Sequence, residues 1–226
     1  VWTLIDMFPG RPGMTVIGEN GGIVMRDGVE VSSSPLDAPT MREAVRLVRE
    51  ATSGPDGIDG GLVMCGKQFA YVERTDDRFV DGVMPYYHRT KRVDDQIAII
   101  DAIEAGEIDD AIVKLAVYVI GPVQALAEAT LANFADTHQY AISGANWADL
   151  QIRGVDKGSA VRDLQRFLGV TREQTAVFGD AGNDLSMMSE GDLSFAMANA
   201  SRDVVEAARF VAPSNNEAGV AQVLRS

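Results

Sequence analysis

Two aspartates bracket a glycine and an asparagine in Thr175-Ala176-Val177-Phe178-Gly179-Asp180-Ala181-Gly182-Asn183-Asp184. Asp180 and Asp184 repel each other and have no basic neighbour in this stretch, so a hard cation such as Mg²⁺ is their natural third member. Asn183 can cap a helix, and the free N–H groups behind it suit an anion. The chemistry this spacing offers is charge neutralisation around a metal-bound anion. The elements that must position it are local. Residues 175–178 read as a buried parallel strand, Gly182 permits a tight turn, and Leu185, Met187 and Met188 open a helix. Asp180 then leaves a strand at its carboxyl end, where open α/β sheets bind ligands.

Three further stretches frame this one. Gly154-Val155-Asp156-Lys157-Gly158-Ser159-Ala160 puts Lys157 at the start of an amphipathic helix carrying Val161, Leu164, Phe167 and Leu168. Downstream lie Phe195-Ala196-Met197-Ala198-Asn199-Ala200 and Asn215-Asn216-Glu217-Ala218-Gly219-Val220. In this order the segments resemble the C-terminal half of the haloacid dehalogenase-like hydrolases, in particular the Cof-type phosphatases with a large α/β cap. The likeness spans essentially the whole chain, densely from Gly154 to Val223 and more loosely before it. Cys65-Gly66-Lys67-Gln68-Phe69-Ala70-Tyr71-Val72 and Tyr87-His88-Arg89 resemble stretches of bacterial sugar-phosphatase caps. Asn20-Gly21-Gly22 resembles an Asn-Gly-Ala beside the family's crevice; as a local pattern it is more often an ordinary turn.

The resemblance implies an α/β fold, a Rossmann-like doubly wound parallel sheet core with an inserted α/β cap. It places core in 1–35, cap in 36–150 and core again in 151–226. It implies a Mg²⁺-dependent phosphatase acting on small phosphomonoesters, sugar phosphates first, through an aspartyl-phosphate. Asp180 would hold the metal. Lys157 would neutralise a phosphoryl oxygen and the attacking carboxylate. Asp184 would complete the metal's outer shell or orient Lys157. Asn183 would bind phosphate, and Asn20 would border the crevice. His88 and Arg89, with Lys91 and Arg92, could meet a sugar or a second anion, or form a solvated face. Lys114 and Cys65 read as structural, and neither Trp2 nor Trp147 has a chemistry the sequence specifies.

One family feature is missing. Members carry Asp-x-Asp on the first core strand, nucleophile first and general acid/base second, and no Asp-x-Asp occurs in these 226 residues. Asp6 is followed at the critical spacing by Phe8. Gly10-Arg11-Pro12 mimics the family's second motif but lies too close to Asn20-Gly21 for an intervening helix. The expectation is that the first strands lie outside these residues, and that the 226 residues by themselves are inactive. Two rivals follow: a phosphomutase of the same cap class, and a non-catalytic ligand-binding descendant.

Composition narrows the partners. A net charge of −13 disfavours nucleic acid and anionic membrane surfaces. With 46% apolar residues the chain can bury a sizeable core. A single cysteine excludes a disulfide framework and suits a reducing cytoplasm. No run is apolar and long enough to span a bilayer. The expected partner is a small phosphorylated metabolite; oligomeric state is not written in the sequence. Among local elements, the pattern predicts a hairpin at Asp27-Gly28, a helix opened by a Thr40-x-x-Glu43 capping box, a helix over 122–134, and βα alternation from 157 to 224.

Overall fold

The computed structural model describes residues 1–225; Ser226, the last of the expected C-terminal core segment, lies outside them. After a short helix α1 (Trp2–Met7), strands β1 (Thr15–Gly18), β2 (Ile23–Arg26) and β3 (Val29–Ser33) form an antiparallel meander. Asp27 and Gly28 join β2 to β3 with φ of 50° and 81°. Positive φ at both turn residues matches the twist of the flanking strands.

Helix α2 (Ala38–Thr52) then leads to strands β4 (Gly60–Gly66) and β5 (Ala70–Val72), helix α3 (Asp77–Val83), strand β6 (Thr90–Arg92), helix α4 (Gln96–Glu104) and strand β7 (Ile112–Val119). Helix α5 (Gln124–Ala129) and strands β8 (His138–Ile142) and β9 (Trp147–Ile152) complete this part. The six strands form one sheet in the order β6-β5-β4-β7-β9-β8, with β5–β6 its parallel pair. Alternation sorts its side chains. Leu62, Met64, Leu115, Val117 and Leu150 pack on one face against Met41, Val45 and Val48 of α2, Ile100 of α4 and Leu126 of α5. Val63, Cys65, Val72 and Ala116 pack on the other against Phe79, Val80 and Val83 of α3.

Two local expectations change. Asp37, not Thr40, is the N-cap of α2: its carboxylate accepts from the Thr40 N–H at 2.8 Å. Pro39 fits the first turn because no N–H is needed there, and Thr40 is buried. The helix expected over 122–134 breaks at Thr130, whose φ and ψ are −125° and −87°. Its buried hydroxyl donates to the Leu126 carbonyl, drawing off a helix acceptor in the way that bends or ends helices. Leu131–Phe134 continue as a 3-10 turn.

The C-terminal run alternates as expected: α6 (Lys157–Leu168), β10 (Ala176–Gly179), α7 (Leu185–Met188), β11 (Leu193–Met197), α8 (Arg202–Ala207), β12 (Phe210–Ala212) and α9 (Gly219–Val223). Strands β10, β11 and β12 are parallel neighbours. Phe178, Phe195 and Phe210 stack across them at centroid distances of 4.9 and 5.2 Å.

Candidate active site

Strand β10 delivers Asp180 to its carboxyl end. Gly179 matters here, because a Cβ on it would lie 2.7 Å from that of Asp184. Without one, the chain folds back and tucks Asp184 beneath the turn. Its Oδ2 accepts from the N–H groups of Asp180 at 2.9 Å and Ala181 at 3.2 Å. Its Oδ1 accepts from Lys157 Nζ at 2.5 Å. The Asp184 side chain is 8% exposed, that of Lys157 31%. Asp184 therefore satisfies the turn's N–H groups, the part that a capping Asn183 would have played. Asn183 lies exposed within the 3-10 turn Gly182–Asp184 and borders the crevice. The Asp180 carboxylate is exposed and has no hydrogen bond or ion pair to another described residue.

Lys157 reaches Asp184 because α6 and α7 start close together. Asp156 caps α6, accepting from the Ser159 N–H at 2.8 Å, so Lys157 is its first residue. The Gly158 N–H donates to Ser186 Oγ at 3.0 Å, and a Cβ on Gly158 would run into the Ser186 carbonyl oxygen. Burial works to raise the Asp184 pKa. The Lys157 ammonium and the two N–H donors outweigh it and hold the carboxyl below its ordinary range. A depressed folded pKa contributes stability above the unfolded value and loses it as pH falls through the folded one. The denaturant midpoint should fall as the pH drops below about 4, and Asp184→Asn should flatten that fall. Equal slopes in the two proteins would remove the ion pair from the account.

The opposite wall comes from the turn Glu19-Asn20-Gly21 and the six-stranded sheet. Glu19 and Asn20 both have positive φ, 49° and 50°, a region costly for residues with a Cβ. Strand β9 holds the turn in that shape. Its period of two puts Trp147, Asp149 and Gln151 on one sheet face. Gln151 Nε2 donates to the Glu19 carbonyl at 2.6 Å, and Asn20 Nδ2 donates to Asp149 Oδ2 at 3.3 Å. Lys114 of β7 lies 2.9 Å from Glu19 Oε2 and 3.7 Å from Asp149 Oδ1.

Lys114 and Glu19 hold their charges. Burial disfavours the Lys114 ammonium, but Glu19 and its neighbours raise its pKa well above the ordinary value. Burial opposes ionisation of Glu19, and Lys114 nonetheless brings its pKa down. Burial pushes the neighbouring Cys65 thiol up to about 12. It is thus a neutral core group within 3.3 Å of the Tyr87 hydroxyl, not a nucleophile.

Between the walls lie two cavities of about 640 and 960 Å³ that share Asn20, Tyr86 and Asn183. The first is bordered by Lys157 and Asp184, the second by Lys114, Asp149, Asn146 and Trp147. The structure thus brings Lys157, Asn183, Asp184 and Asn20 to one crevice, with Asp180 at the head of the same turn. His88 and Arg89 border neither cavity. Arg89 lies over the Trp2 indole at 3.8 Å and 4.0 Å from Asp6. Lys91 sits over the Phe69 ring at 3.6 Å, and Arg92 is 3.9 Å from Asp77. Sequence reasoning passed over Tyr86, Trp147 and Asp149, and read Lys114 as structural. The available signal was the two-residue spacing of Trp147, Asp149 and Gln151, polar groups on a strand whose alternate residues are core.

Comparison with known proteins identifies the family and the fold. Residues 7–224 match the family model of the haloacid dehalogenase-like hydrolases. The 5-amino-6-(5-phospho-D-ribitylamino)uracil phosphatase YbjI of Escherichia coli K12 is 33% identical over 230 residues, which cover 99% of this chain and 78% of that protein. A haloacid dehalogenase-like hydrolase from B. subtilis superposes with a TM-score of 0.75 at 19% identity, covering 99% of this chain and 83% of its own. The subclass IIB sugar phosphatase BT4131 gives a TM-score of 0.68 at 17% identity over 93% of this chain and 74% of that one. At such identities the two structures speak for the fold, an α/β architecture with a Rossmann-like core. With a family model spanning nearly its full length, the chain belongs to the haloacid dehalogenase-like hydrolases.

Proposed function

We propose that these residues form the greater part of a Mg²⁺-dependent phosphatase that releases phosphate from small phosphomonoesters, sugar and polyol phosphates first among them. One observation carries the reading. Asp184 spends both oxygens on Lys157 and the turn, which leaves Asp180 uncommitted at the strand end. Residues 1–35 and 151–226 would form the core, and 36–150 the cap that closes the crevice.

The donor set can be tested against the metal. Among the described residues no three His, Cys, Asp or Glu side chains gather as a metal cage. Mg²⁺ does not need one; it is commonly held by one or two carboxylates plus phosphate oxygens and waters. The free carboxylate of Asp180 fits as such an arm, and Asp184 can act from behind through the turn. When bound, the ion would neutralise phosphoryl charge. The chain's own residues do the rest. Lys157 gives one N–H to Asp184 and has two left for phosphoryl oxygens. Asn183 offers its amide at the mouth of the crevice. The nucleophile of an aspartyl-phosphate route would come from an Asp-x-Asp strand.

The test compares the 226 residues with a chain that also carries an Asp-x-Asp strand ahead of Val1, termed the intact enzyme below. Phosphate release from sugar phosphates is expected from the intact enzyme with Mg²⁺. None is expected after chelation, and none from the 226 residues by themselves. Isomerised sugar phosphate without free phosphate would mean a mutase instead. The ester named for the Escherichia coli relative, a phosphoribitylamino-uracil, is one substrate to try. Action in the cytoplasm belongs to this proposal too; among the described residues no helix is long and apolar enough to cross a membrane.

A further inference from the structure

The larger cavity has a floor whose charges are unlike those of an anion site. Lys114 and Asp149 are the charged residues that border it. Lys114 is buried and faces two carboxylates, Glu19 at 2.9 Å and Asp149 at 3.7 Å. Glu19 also lies 3.4 Å from the Val1 terminal ammonium, which a preceding residue would convert to an uncharged peptide N–H; Lys114, Glu19 and Asp149 by themselves then carry a formal excess of one negative charge. Asp149 is 6% exposed. Its Oδ2 accepts from Asn20 at 3.3 Å, whereas Oδ1 has only the 3.7 Å approach of Lys114, beyond hydrogen-bond range. No fully buried side-chain oxygen among the described residues lacks a partner. The Asp149 Oδ1 atom must then open onto the cavity. An acceptor held in a low-dielectric floor is a strong recognition group for O–H or N–H donors, and it repels anions. Above it the half-buried Trp147 and the 62% exposed Tyr86 meet edge to face at 5.3 Å, giving an apolar side wall.

Resting on the phosphatase reading, we propose that Asp149 is the specificity-determining residue of the crevice: it selects a leaving group that is uncharged and rich in hydroxyl or N–H donors, and excludes one bearing a second anionic group. Strand geometry supports the assignment. Ala116 pairs with Asp149 and Tyr118 with Trp147, so the carboxylate and the aromatic wall share one sheet face. Asn20 connects that face to the turn beside Lys157 and Asn183, so a phosphate near Lys157 would place its alcohol portion over Asp149.

The test uses the intact enzyme and three esters: fructose 6-phosphate, fructose 1,6-bisphosphate, and p-nitrophenyl phosphate, whose leaving group has no hydroxyl donors. Wild type is expected to favour the monophosphate over the bisphosphate by about tenfold or more in kcat/KM, the worth of one charge-assisted contact. Asp149→Asn, close to isosteric, should lose about tenfold on fructose 6-phosphate, mainly in KM, narrow the mono-to-bisphosphate ratio, and leave p-nitrophenyl phosphate within about twofold. Asp149→Glu keeps the charge and should keep the exclusion of the bisphosphate. An unchanged ratio in Asp149→Asn, or a wild type indifferent to the second phosphate, overturns the proposal. If wild type releases no phosphate even from p-nitrophenyl phosphate, the phosphatase reading falls. Titration of Trp fluorescence with the two fructose esters then decides the role of Asp149. Tighter binding of the monophosphate that is lost in Asp149→Asn upholds it; equal binding ends it.

Discussion

Asp180→Asn in the intact enzyme is expected to lower Mg²⁺-dependent phosphate release by at least about a thousandfold, on the order of 4 kcal/mol of transition-state stabilisation. The size follows from what Asp180 does not do in the fold. Its carboxylate is exposed and makes no hydrogen bond or ion pair to another described residue, so an amide in its place should change stability by no more than about 0.5 kcal/mol. Activity and stability therefore separate. The readouts are initial rate against Mg²⁺ concentration and the urea midpoint. Retained turnover at saturating Mg²⁺ would refute the metal role; a collapse of the midpoint would show a structural one.

Lys157→Met is the second large effect, and here the two readouts move together. Catalysis loses the ammonium that would face the phosphoryl oxygens, about a hundredfold or more in kcat by analogy with other preorganised donors. The fold loses the partner of a carboxylate that is 8% exposed. Lys157 is itself partly open to water, so screening limits the stability cost to about 1 kcal/mol. The two residues are in contact, so their effects should not add. Asp184→Asn in the Lys157→Met background is expected to cost less than it does alone. A fully additive double mutant would mean that Lys157 and Asp184 act independently.

The parts of this site that were legible in the sequence are those built by local geometry. A strand, a glycine turn and a helix start lie within ten consecutive positions from Thr175 to Asp184, and apolar periodicity marks each. The Lys157–Asp184 pair came through resemblance, since nothing local joins residues so far apart. The opposite wall was illegible because it depends on pairing. Asp149 faces the crevice only because β9 lies beside β7 in a register that matches it to Ala116, and a single sequence does not state that register. His88 and Arg89 drew attention for the converse reason. A basic run stands out in an acidic chain, yet Arg89 and Lys91 lie over Trp2 and Phe69, using stems and charge against aromatic faces. At α2 the misreading was one of competition. Asp37 and Thr40 are both good caps; Asp37 takes the role by accepting from the Thr40 N–H, and Pro39 is tolerated in the first turn behind it.

Two consecutive left-handed residues, Glu19 and Asn20, are held in shape by Gln151, Asp149 and Lys114. Conformations of this kind cost on the order of 1–3 kcal/mol each when unsupported, so the turn depends on the sheet that holds it. A chimera that exchanges 36–150 for the equivalent portion of a relative would discard Lys114 and Asp149 and leave Gln151 as the one of these three supports still in place. The transplantable module includes residues 19–21, which lie outside that span along the chain and belong to it in space. A chimera that exchanges residues 19–21 together with that span is expected to keep more of its stability than one that leaves them behind, as the two urea midpoints would show.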